Sequence, residues 1–170
     1  MSDKLQQLHQ RIQAMEDIEA IKQLKYRYWF SCDSRDIDGI RDCFDSNNLL
    51  IDFGFIGQFT QIDDFIAVFE QLACHSGQLD MHHGSGAEIK LTGPDTATGR
   101  WRMRFQLLQT KEKLWQLMNG YYQDSYSRVD GQWKITKTKH IIMSNLLLQT
   151  DAQDCLKVLQ LGSEPGLVTE

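Results

Sequence analysis

The clearest signal for the fold is the stretch Thr96-Ala-Thr-Gly-Arg-Trp-Arg-Met-Arg-Phe-Gln-Leu-Leu-Gln109. Apolar and polar side chains alternate along it, with Trp101, Met103 and Phe105 on one face and arginines between them on the other. Because successive side chains of a strand point to opposite faces, this pattern predicts a strand with one packed and one solvated face. The stretch therefore predicts a sheet whose packed side needs a covering layer.

Three further segments have the same extended texture. One begins at Leu79, and two follow the first stretch at 114–129 and 133–148, with turn-forming residues at 92–95, 111–113 and 130–131. This succession predicts a four-strand antiparallel meander. The strands are longer than is usual in globular proteins, so we expect the sheet to be strongly curved.

The amino-terminal part of the chain has helical periodicity instead. A stripe of residues at helical spacing predicts one long helix or two stacked helices; it comprises Leu5, Leu8, Ile12, Met15, Ile18, Ile21, Leu24, Lys25 and Tyr28. A second, short helix is expected at 36–44 and a third at 61–75, with a strand at 49–53 between them. Because helices come first and strands afterwards, we expect an α+β fold rather than alternating βαβ units.

Length and composition fit one domain. The chain has 170 residues, of which 41% are hydrophobic, enough for one core and too few for two ordinary domains. We expect a single domain at 1–161, in which three amino-terminal helices pack on a strongly curved mixed, mostly antiparallel sheet to form a cone-shaped α+β barrel. Residues 162–170 lose periodicity and are expected to form a flexible tail.

The charge pattern bounds the function. The 23 acidic and 18 basic residues are interspersed and give a net charge of -5, so we expect no nucleic-acid partner. No segment has the length and apolarity of a membrane span, and the start lacks the apolar core of a secretory signal, so we expect a cytoplasmic protein with no membrane partner. The four cysteines form no Cys-x-x-Cys pair and are expected to be reduced. No metal-ligand motif or phosphate loop is present, so no metal and no cofactor is expected.

The residues Tyr28, Asp33 and a histidine pair, His82 and His83, can carry out proton chemistry without a cofactor. Tyr28 lies on the apolar stripe, which is also typical of a core aromatic. Asp33 lies at the helix end, where Asp36 is the better cap for the next helix. This leaves Asp33 without an obvious structural role.

The histidine pair lies in Met81-His-His-Gly-Ser-Gly-Ala-Glu-Ile89, a strand-like segment interrupted by two glycines. Simple alternation places His83 on the packed face together with Met81 and Ala87, and His82 on the other face. A β-bulge at Gly84 to Gly86 would reverse this order. From the residues alone, both arrangements stay open.

The chain resembles the SnoaL-like branch of the nuclear transport factor 2-like superfamily, and within it the bile acid 7α-dehydratase and scytalone dehydratase group. The resemblance spans about residues 17–140 and includes the histidine segment, Ala97-Thr-Gly-Arg-Trp101 and Asp130-Gly-Gln-Trp133. It implies that Tyr28, Asp33 and His82 are the catalytic residues, because they match the tyrosine, helix-end aspartate and histidine of that group.

Two positions depart from the pattern that the resemblance implies. The dehydratase has a further aspartate and an arginine in its pocket, where this chain has the apolar Phe105 and Ile142. These positions therefore lack the groups that would hydrogen-bond a polar part of a bile acid thioester. His140 shares strand parity with Ile142 and is expected either to face the same pocket or to bond a backbone carbonyl. Further pocket candidates are His83 and the aromatic Trp101.

These observations favour a cofactor-independent dehydratase or double-bond isomerase, that is, a lyase or isomerase. The expected ligand is a small hydrophobic molecule, a steroid-like or polyketide-like cyclic hydroxy-carbonyl compound. The alternative is a non-catalytic ligand-binding or dimerisation module of the same fold, including a structural role like that of a dioxygenase small subunit. Under either interpretation we expect a homodimer or homotrimer through the sheet face, where Leu114–Met118 and Ile141–Met143 are apolar.

Overall fold

The helices occupy the amino-terminal part of the chain and the long strands the rest. The computed structural model describes residues 3–153 and 155–162. The helices are α1 (Asp3–Ser34), α2 (Ile37–Asp42) and α3 (Ile62–Ala73), with a turn of 3₁₀ helix at Gly54–Ile56. The strands are β1 (Leu50–Asp52), β2 (Gln58–Phe59), β3 (Gln78–Gly93), β4 (Thr96–Gln109), β5 (Leu114–Val129), β6 (Gln132–Thr150) and β7 (Leu156–Gly162).

One sheet contains all of these strands, in the order β2-β1-β6-β5-β4-β3, and β7 also pairs with β6. Strands β3 to β6 form the expected antiparallel meander. Only β1 and β6 are parallel among the described strand pairs, with Leu50 opposite Lys137. The α+β class and the mixed, mostly antiparallel sheet are therefore confirmed, whereas strong curvature and the cone shape stay predictions.

The carboxyl-terminal end differs from expectation. Residues 156–162 form β7, which pairs with the last part of β6 and which the sequence pattern did not indicate. Gly162, assigned above to the tail, is the last residue of this strand. Residues 163–170 of the expected tail lie outside the described residues. The division into a domain at 1–161 and a tail therefore stays a prediction.

Helix α1 is one continuous helix of 32 residues with two different halves. Its first half carries the exposed part of the apolar stripe, Leu5, Leu8, Ile12 and Met15. From Asp17 onward the stripe is buried and packs against the sheet through Ile21, Leu24 and Trp29. Burial of this second half anchors the end of the helix that carries Tyr28 and Asp33.

A bulge in β3 sets the direction of the histidine pair. The pairing of β3 with β4 shifts register between Ser85 and Glu88, where Gly86 has a φ of 59°. This left-handed backbone suits glycine because it has no Cβ. On the amino-terminal side of the bulge, His82 therefore faces inward and His83 is exposed. The arrangement expected from simple alternation is wrong, and the bulged one is present.

Gly84 has a different role from Gly86. A Cβ at Gly84 would overlap the indole ring of Trp29 on α1. Glycine at this position therefore lets strand β3 lie close against α1, which brings His82 within reach of the end of the helix.

Two expectations concern the surroundings of the protein: assembly through the sheet face and the absence of a membrane span. Exposed apolar side chains occur on the long strands, among them Leu79, Met81, Trp115 and Met143. The homodimer or homotrimer through the sheet face stays a prediction. Within 3–153 and 155–162, no helix combines the length and apolarity required to cross a membrane.

Candidate active site

A cavity of about 300 Å³ lies between the helices and the inner face of the sheet. Most of its lining is apolar, which favours a ligand with a hydrophobic body. A few polar side chains, from α1 and from strands β3 to β6, interrupt this lining. The lining includes Tyr28, Cys32, Asp80, His82, Phe105, Tyr122 and His140.

Asp33 and His82 are joined by two hydrogen-bond contacts at the cavity. The Oδ2 atom of Asp33 accepts a hydrogen bond from the backbone N–H of His82 at 3.0 Å. Its Oδ1 atom lies 2.5 Å from Nδ1 of the same residue. The two side chains are 23% and 13% exposed, so the pair is shielded but reachable. Two contacts from one carboxylate fix both the backbone and the ring of His82.

This geometry defines which ring nitrogen is available. A carboxylate accepts hydrogen bonds, so the proton is on Nδ1 of His82, which donates it in a hydrogen bond to Asp33. In the neutral ring, Nε2 then has the free lone pair. His82 lines the cavity, so Nε2 is the atom that can take a proton from a ligand.

The end of α1 is held in place by Arg35, which adopts a φ of 61°. Its guanidinium donates to the backbone carbonyls of Cys32 and Asp33 at 2.9 and 3.1 Å and to that of Ala73 at 3.0 Å. These bonds satisfy carbonyls that the helix leaves unpaired and place a cation at its negative end. Asp36 caps α2 through the backbone N–H of Gly39, as expected, so Asp33 remains available for His82.

Tyr28 is buried, 2% exposed, and also lines the cavity. Burial raises the pKa of Tyr28 well above its ordinary value, and the neighbouring Cys32 thiol adds to this effect. Burial likewise raises the pKa of the Cys32 thiol. Tyr28 therefore keeps its phenolic proton at neutral pH and can donate a hydrogen bond. Cys32 stays a thiol and is unsuited to nucleophilic chemistry.

Aromatic rings from β4, β5 and β6 line the sheet side of the cavity. The ring of Phe105 lies 4.9 Å from that of His82, measured between centroids. His140 stacks on Tyr122 at 4.6 Å with an angle of 18° between the rings. The Nε2 atom of His140 is buried without a hydrogen-bond partner among the described residues. Burial lowers the pKa of His140 to about 4, and nearby His82 and Lys25 contribute to the shift, so this ring is neutral at pH 7.

An ion pair lies in the core behind this wall. Nζ of Lys25 is 2.8 Å from Oδ2 of Asp124, and both side chains are fully buried. Asp124 also accepts hydrogen bonds from Tyr126 and Thr138, both at 2.7 Å. The ammonium group lies 3.9 Å from the ring centroid of Tyr122. Burial lowers the pKa of Lys25, and the Asp124 carboxylate opposes the shift.

The cavity contains one more carboxylate. Asp80 lies two residues before His82 on the same face of β3, and its side chain is 7% exposed. Oδ2 of Asp80 pairs with the Arg35 guanidinium at 3.1 Å. Burial raises the pKa of Asp80, and Arg35 opposes this shift. Within the described ranges, Oδ1 of Asp80 is buried and has no hydrogen-bond partner.

Comparison with known proteins identifies the family. A model of the SnoaL-like domain matches residues 13–139 of this chain. The chain belongs to the SnoaL-like domain family.

Solved structures similar to this SnoaL-like protein share its fold at low identity. A candidate scytalone dehydratase from Novosphingobium aromaticivorans is 20% identical with a TM-score of 0.72, over 78% of this chain and 87% of that one. A type 2 LinA hexachlorocyclohexane dehydrochlorinase is 14% identical with a TM-score of 0.72, over 88% and 93%. A candidate aromatic ring hydroxylase from N. aromaticivorans is 21% identical with a TM-score of 0.67, over 85% and 94%. The SnoaL-like fold is thereby confirmed.

The structure brings together some of the residues that the sequence placed in the site. Tyr28, His82, Phe105 and His140 line the cavity, and Asp33 bonds His82. The other three candidates lie elsewhere. His83 is exposed, Trp101 is fully buried in the core with its Nε1 donating to Tyr126, and Ile142 does not line the cavity.

Sequence reasoning assigned no role to three polar groups in or near the cavity, Asp80, Lys25 and Asp124. Asp80 had a detectable signal, because it precedes His82 by two residues and a strand places such residues on one face. Lys25 was noted on the apolar stripe, and a lysine in that position indicates a buried partner. Its partner Asp124 had no distinguishing pattern. In the part of the chain that the structure describes, no three His, Cys, Asp or Glu side chains are arranged to hold a metal ion.

Proposed function

We propose that this SnoaL-like protein is a cofactor-independent dehydratase or double-bond isomerase that acts on a hydrophobic cyclic hydroxy-carbonyl compound, steroid-like or polyketide-like in its ring system. The observation that carries this proposal is the Asp33–His82 pair, which leaves one ring nitrogen of His82 free at a largely apolar cavity. A base oriented by a carboxylate is the arrangement that proton abstraction requires.

In the dehydration that we propose, Nε2 of His82 takes a proton from the carbon next to the ligand carbonyl. The electron pair of that C–H bond moves to the carbonyl oxygen, which becomes an enolate. Tyr28 donates a hydrogen bond to this oxygen, and its raised pKa keeps it in the donor form. Asp33 stabilises the imidazolium formed on His82.

The second half of the reaction returns the proton. The enolate oxygen re-forms the carbonyl, and the electrons of the enolate carbon–carbon bond move to form the α,β double bond as the C–O bond to the β-hydroxyl breaks. The imidazolium of His82 protonates the departing oxygen to give water. In the isomerisation, no bond to oxygen breaks, and His82 returns the proton to a different carbon of the dienolate. One base that acts as the acid in the next step serves both reactions.

The lining indicates what the ligand looks like. Phe105 lies against His82, where the resemblance implied an aspartate, and Phe53, Phe65 and Phe69 add further apolar surface. A buried, charged ligand group would find few partners on these walls. The names of two similar structures, a scytalone dehydratase and a dehydrochlorinase, describe eliminations, which supports the same class of chemistry here.

A substrate screen tests this proposal. Purified protein is incubated with cyclic β-hydroxy ketones, from 3-hydroxycyclohexanone to ring-fused analogues, and loss of water is followed by the ultraviolet absorbance of the conjugated enone. β,γ-Unsaturated cyclic ketones test the isomerase in the same assay. We expect turnover by the wild type and by His83→Ala, and none by His82→Ala. Tight binding without any turnover across both sets would contradict the enzyme and assign the fold a binding role.

A further inference from the structure

The carboxylate of Asp80 is a polar group that the proposed reaction does not use. It lies opposite Leu107 in the strand register and two residues before His82 on the same face of β3, within a mostly apolar lining. One of its oxygens, Oδ2, is held by Arg35 at 3.1 Å. The other, Oδ1, is shielded from solvent and accepts no hydrogen bond from any described residue.

A buried carboxylate oxygen without a partner is costly, because its hydration has been removed and nothing replaces it. Since Asp80 lines the cavity, a bound ligand can supply the missing donor. A hydroxyl group is the donor that an otherwise apolar ligand carries without adding charge. A chlorine substituent at the same place has no hydrogen to donate.

We propose that Oδ1 of Asp80 accepts a hydrogen bond from a hydroxyl group of the bound ligand and thereby selects hydroxylated rings over halogenated rings of the same shape. This inference rests on the proposed function for its substrate class and adds the group that distinguishes a dehydration substrate from a dehydrohalogenation substrate. Asp80 acts in selection, whereas His82 moves the proton.

The contact of Asp80 with Arg35 predicts how the amide group is oriented in the variant Asp80→Asn. Arg35 presents only donors, so the δ2 position must hold an acceptor. In Asp80→Asn the amide oxygen therefore faces Arg35, and the NH₂ group replaces Oδ1. The variant exchanges an acceptor for a donor at the same place, with almost no change of volume.

Binding of matched ring compounds tests this selection. The dissociation constants of 2-tetralol, 2-chlorotetralin and 2-tetralone are measured by calorimetry for the wild type and Asp80→Asn. For the wild type we expect 2-tetralol to bind about 10- to 100-fold more tightly than 2-chlorotetralin, the usual value of a hydrogen bond to a charged group. For Asp80→Asn we expect this ratio to fall to near one and 2-tetralone to become the preferred ligand.

Asp33→Asn is the matched control, since it neutralises the other carboxylate near the cavity. It should keep the preference for 2-tetralol and lose turnover in the substrate screen. A wild type that binds 2-chlorotetralin or 2-tetralone as well as 2-tetralol, or none of the three, overturns the inference even if Asp80→Asn does not fold. Selection that disappears in Asp80→Asn, together with no turnover of any ketone, would instead retain the role of Asp80 and contradict the enzyme.

Discussion

The molecule contains two pairs of a basic and an acidic side chain, and the two pairs differ in their surroundings. Lys25 and Asp124 are fully buried, and Asp124 receives two hydroxyl hydrogen bonds in addition to the ammonium. Asp33 and His82 are partly exposed at the cavity, and one nitrogen of His82 remains available. The first pair is enclosed by the protein, whereas the second leaves a reactive atom for a ligand.

This contrast separates side chains that affect only stability from side chains that can take part in a reaction. A buried ion pair whose bonds are all internal can only stabilise or destabilise the folded chain. A pair with one free atom at a cavity can transfer a proton. Changes to the first pair should therefore alter unfolding, and changes to the second should alter turnover.

The largest effect is expected at the cavity pair. His82→Ala should lower kcat by about 10²- to 10⁴-fold, the usual contribution of one general acid-base group. Its free energy of unfolding should change little, since the ring is partly exposed. Kinetics on a ketone from the screen and urea denaturation measure the two effects. His83→Ala is the control; a similar loss of kcat there would contradict the assignment of His82.

The buried pair should show the opposite result. Lys25→Met should destabilise the protein by about 3–5 kcal/mol, because it leaves the Asp124 carboxylate buried without its cation. The double variant Lys25→Met with Asp124→Asn removes both charges and should cost less than the single change. Urea denaturation gives these values. Equal destabilisation by the single and double variants would show that the charge pairing is not the cause.

His140 lies between the two pairs, stacked on the same Tyr122 ring that Lys25 approaches. Its pKa falls from 6.5 to about 4 on folding, so the unfolded chain binds more protons between these values. Stability should therefore decrease as the pH falls from about 6.5 to 4, by about 3 kcal/mol from this group.

The variant His140→Phe isolates this contribution, because it keeps an aromatic ring on Tyr122 and removes the titrating group. Urea denaturation at pH 7 and pH 4.5 should show a smaller loss of stability in the variant than in the wild type. An identical loss in both proteins would mean that other groups cause the acid sensitivity.

A smaller effect is expected from the close approach of β3 to α1. Gly84→Ala places a methyl group against Trp29, so it should destabilise the protein by about 1–3 kcal/mol and separate His82 from Asp33. Because His82 depends on its contacts with Asp33 for its orientation, kcat should fall more than stability alone explains. Gly162→Ala is a neutral control, since a Cβ there meets nothing within 4 Å. Unchanged kcat in a folded Gly84→Ala would show that the pair tolerates the shift.

The sequence predicted the sheet well because alternation over long strands is a strong signal. The bounds 96–109 and 114–129 agree with β4 and β5, and the three helices are present. Strand β7 was not predicted, because the segment 156–162 is short and its side chains are mostly exposed. Burial therefore imposes no alternation on its sequence. Strand β2 has only two residues, too few to show any alternation.

The site was predictable only in part, for a physical reason. The residues on α1 and the histidine pair could be named, but which histidine faces inward depends on the bulge at Gly86, and alternation alone gave the wrong one. Asp80 pairs with Arg35 across 45 residues of sequence, and Lys25 with Asp124 across 99. No local pattern encodes pairs at such separations.

The most direct test of the central claim is exchange of the α-protons of a cyclic ketone with D₂O, followed by proton NMR on 2-tetralone. This step requires only the base and needs no leaving group, so it does not depend on the identity of the natural ligand. We expect the wild type and His83→Ala to accelerate exchange above the buffer rate, and His82→Ala and Asp33→Asn to be slower than the wild type by about 10²-fold or more. Exchange by the wild type that equals the buffer rate, or that persists in His82→Ala, would contradict the role of the Asp33–His82 pair.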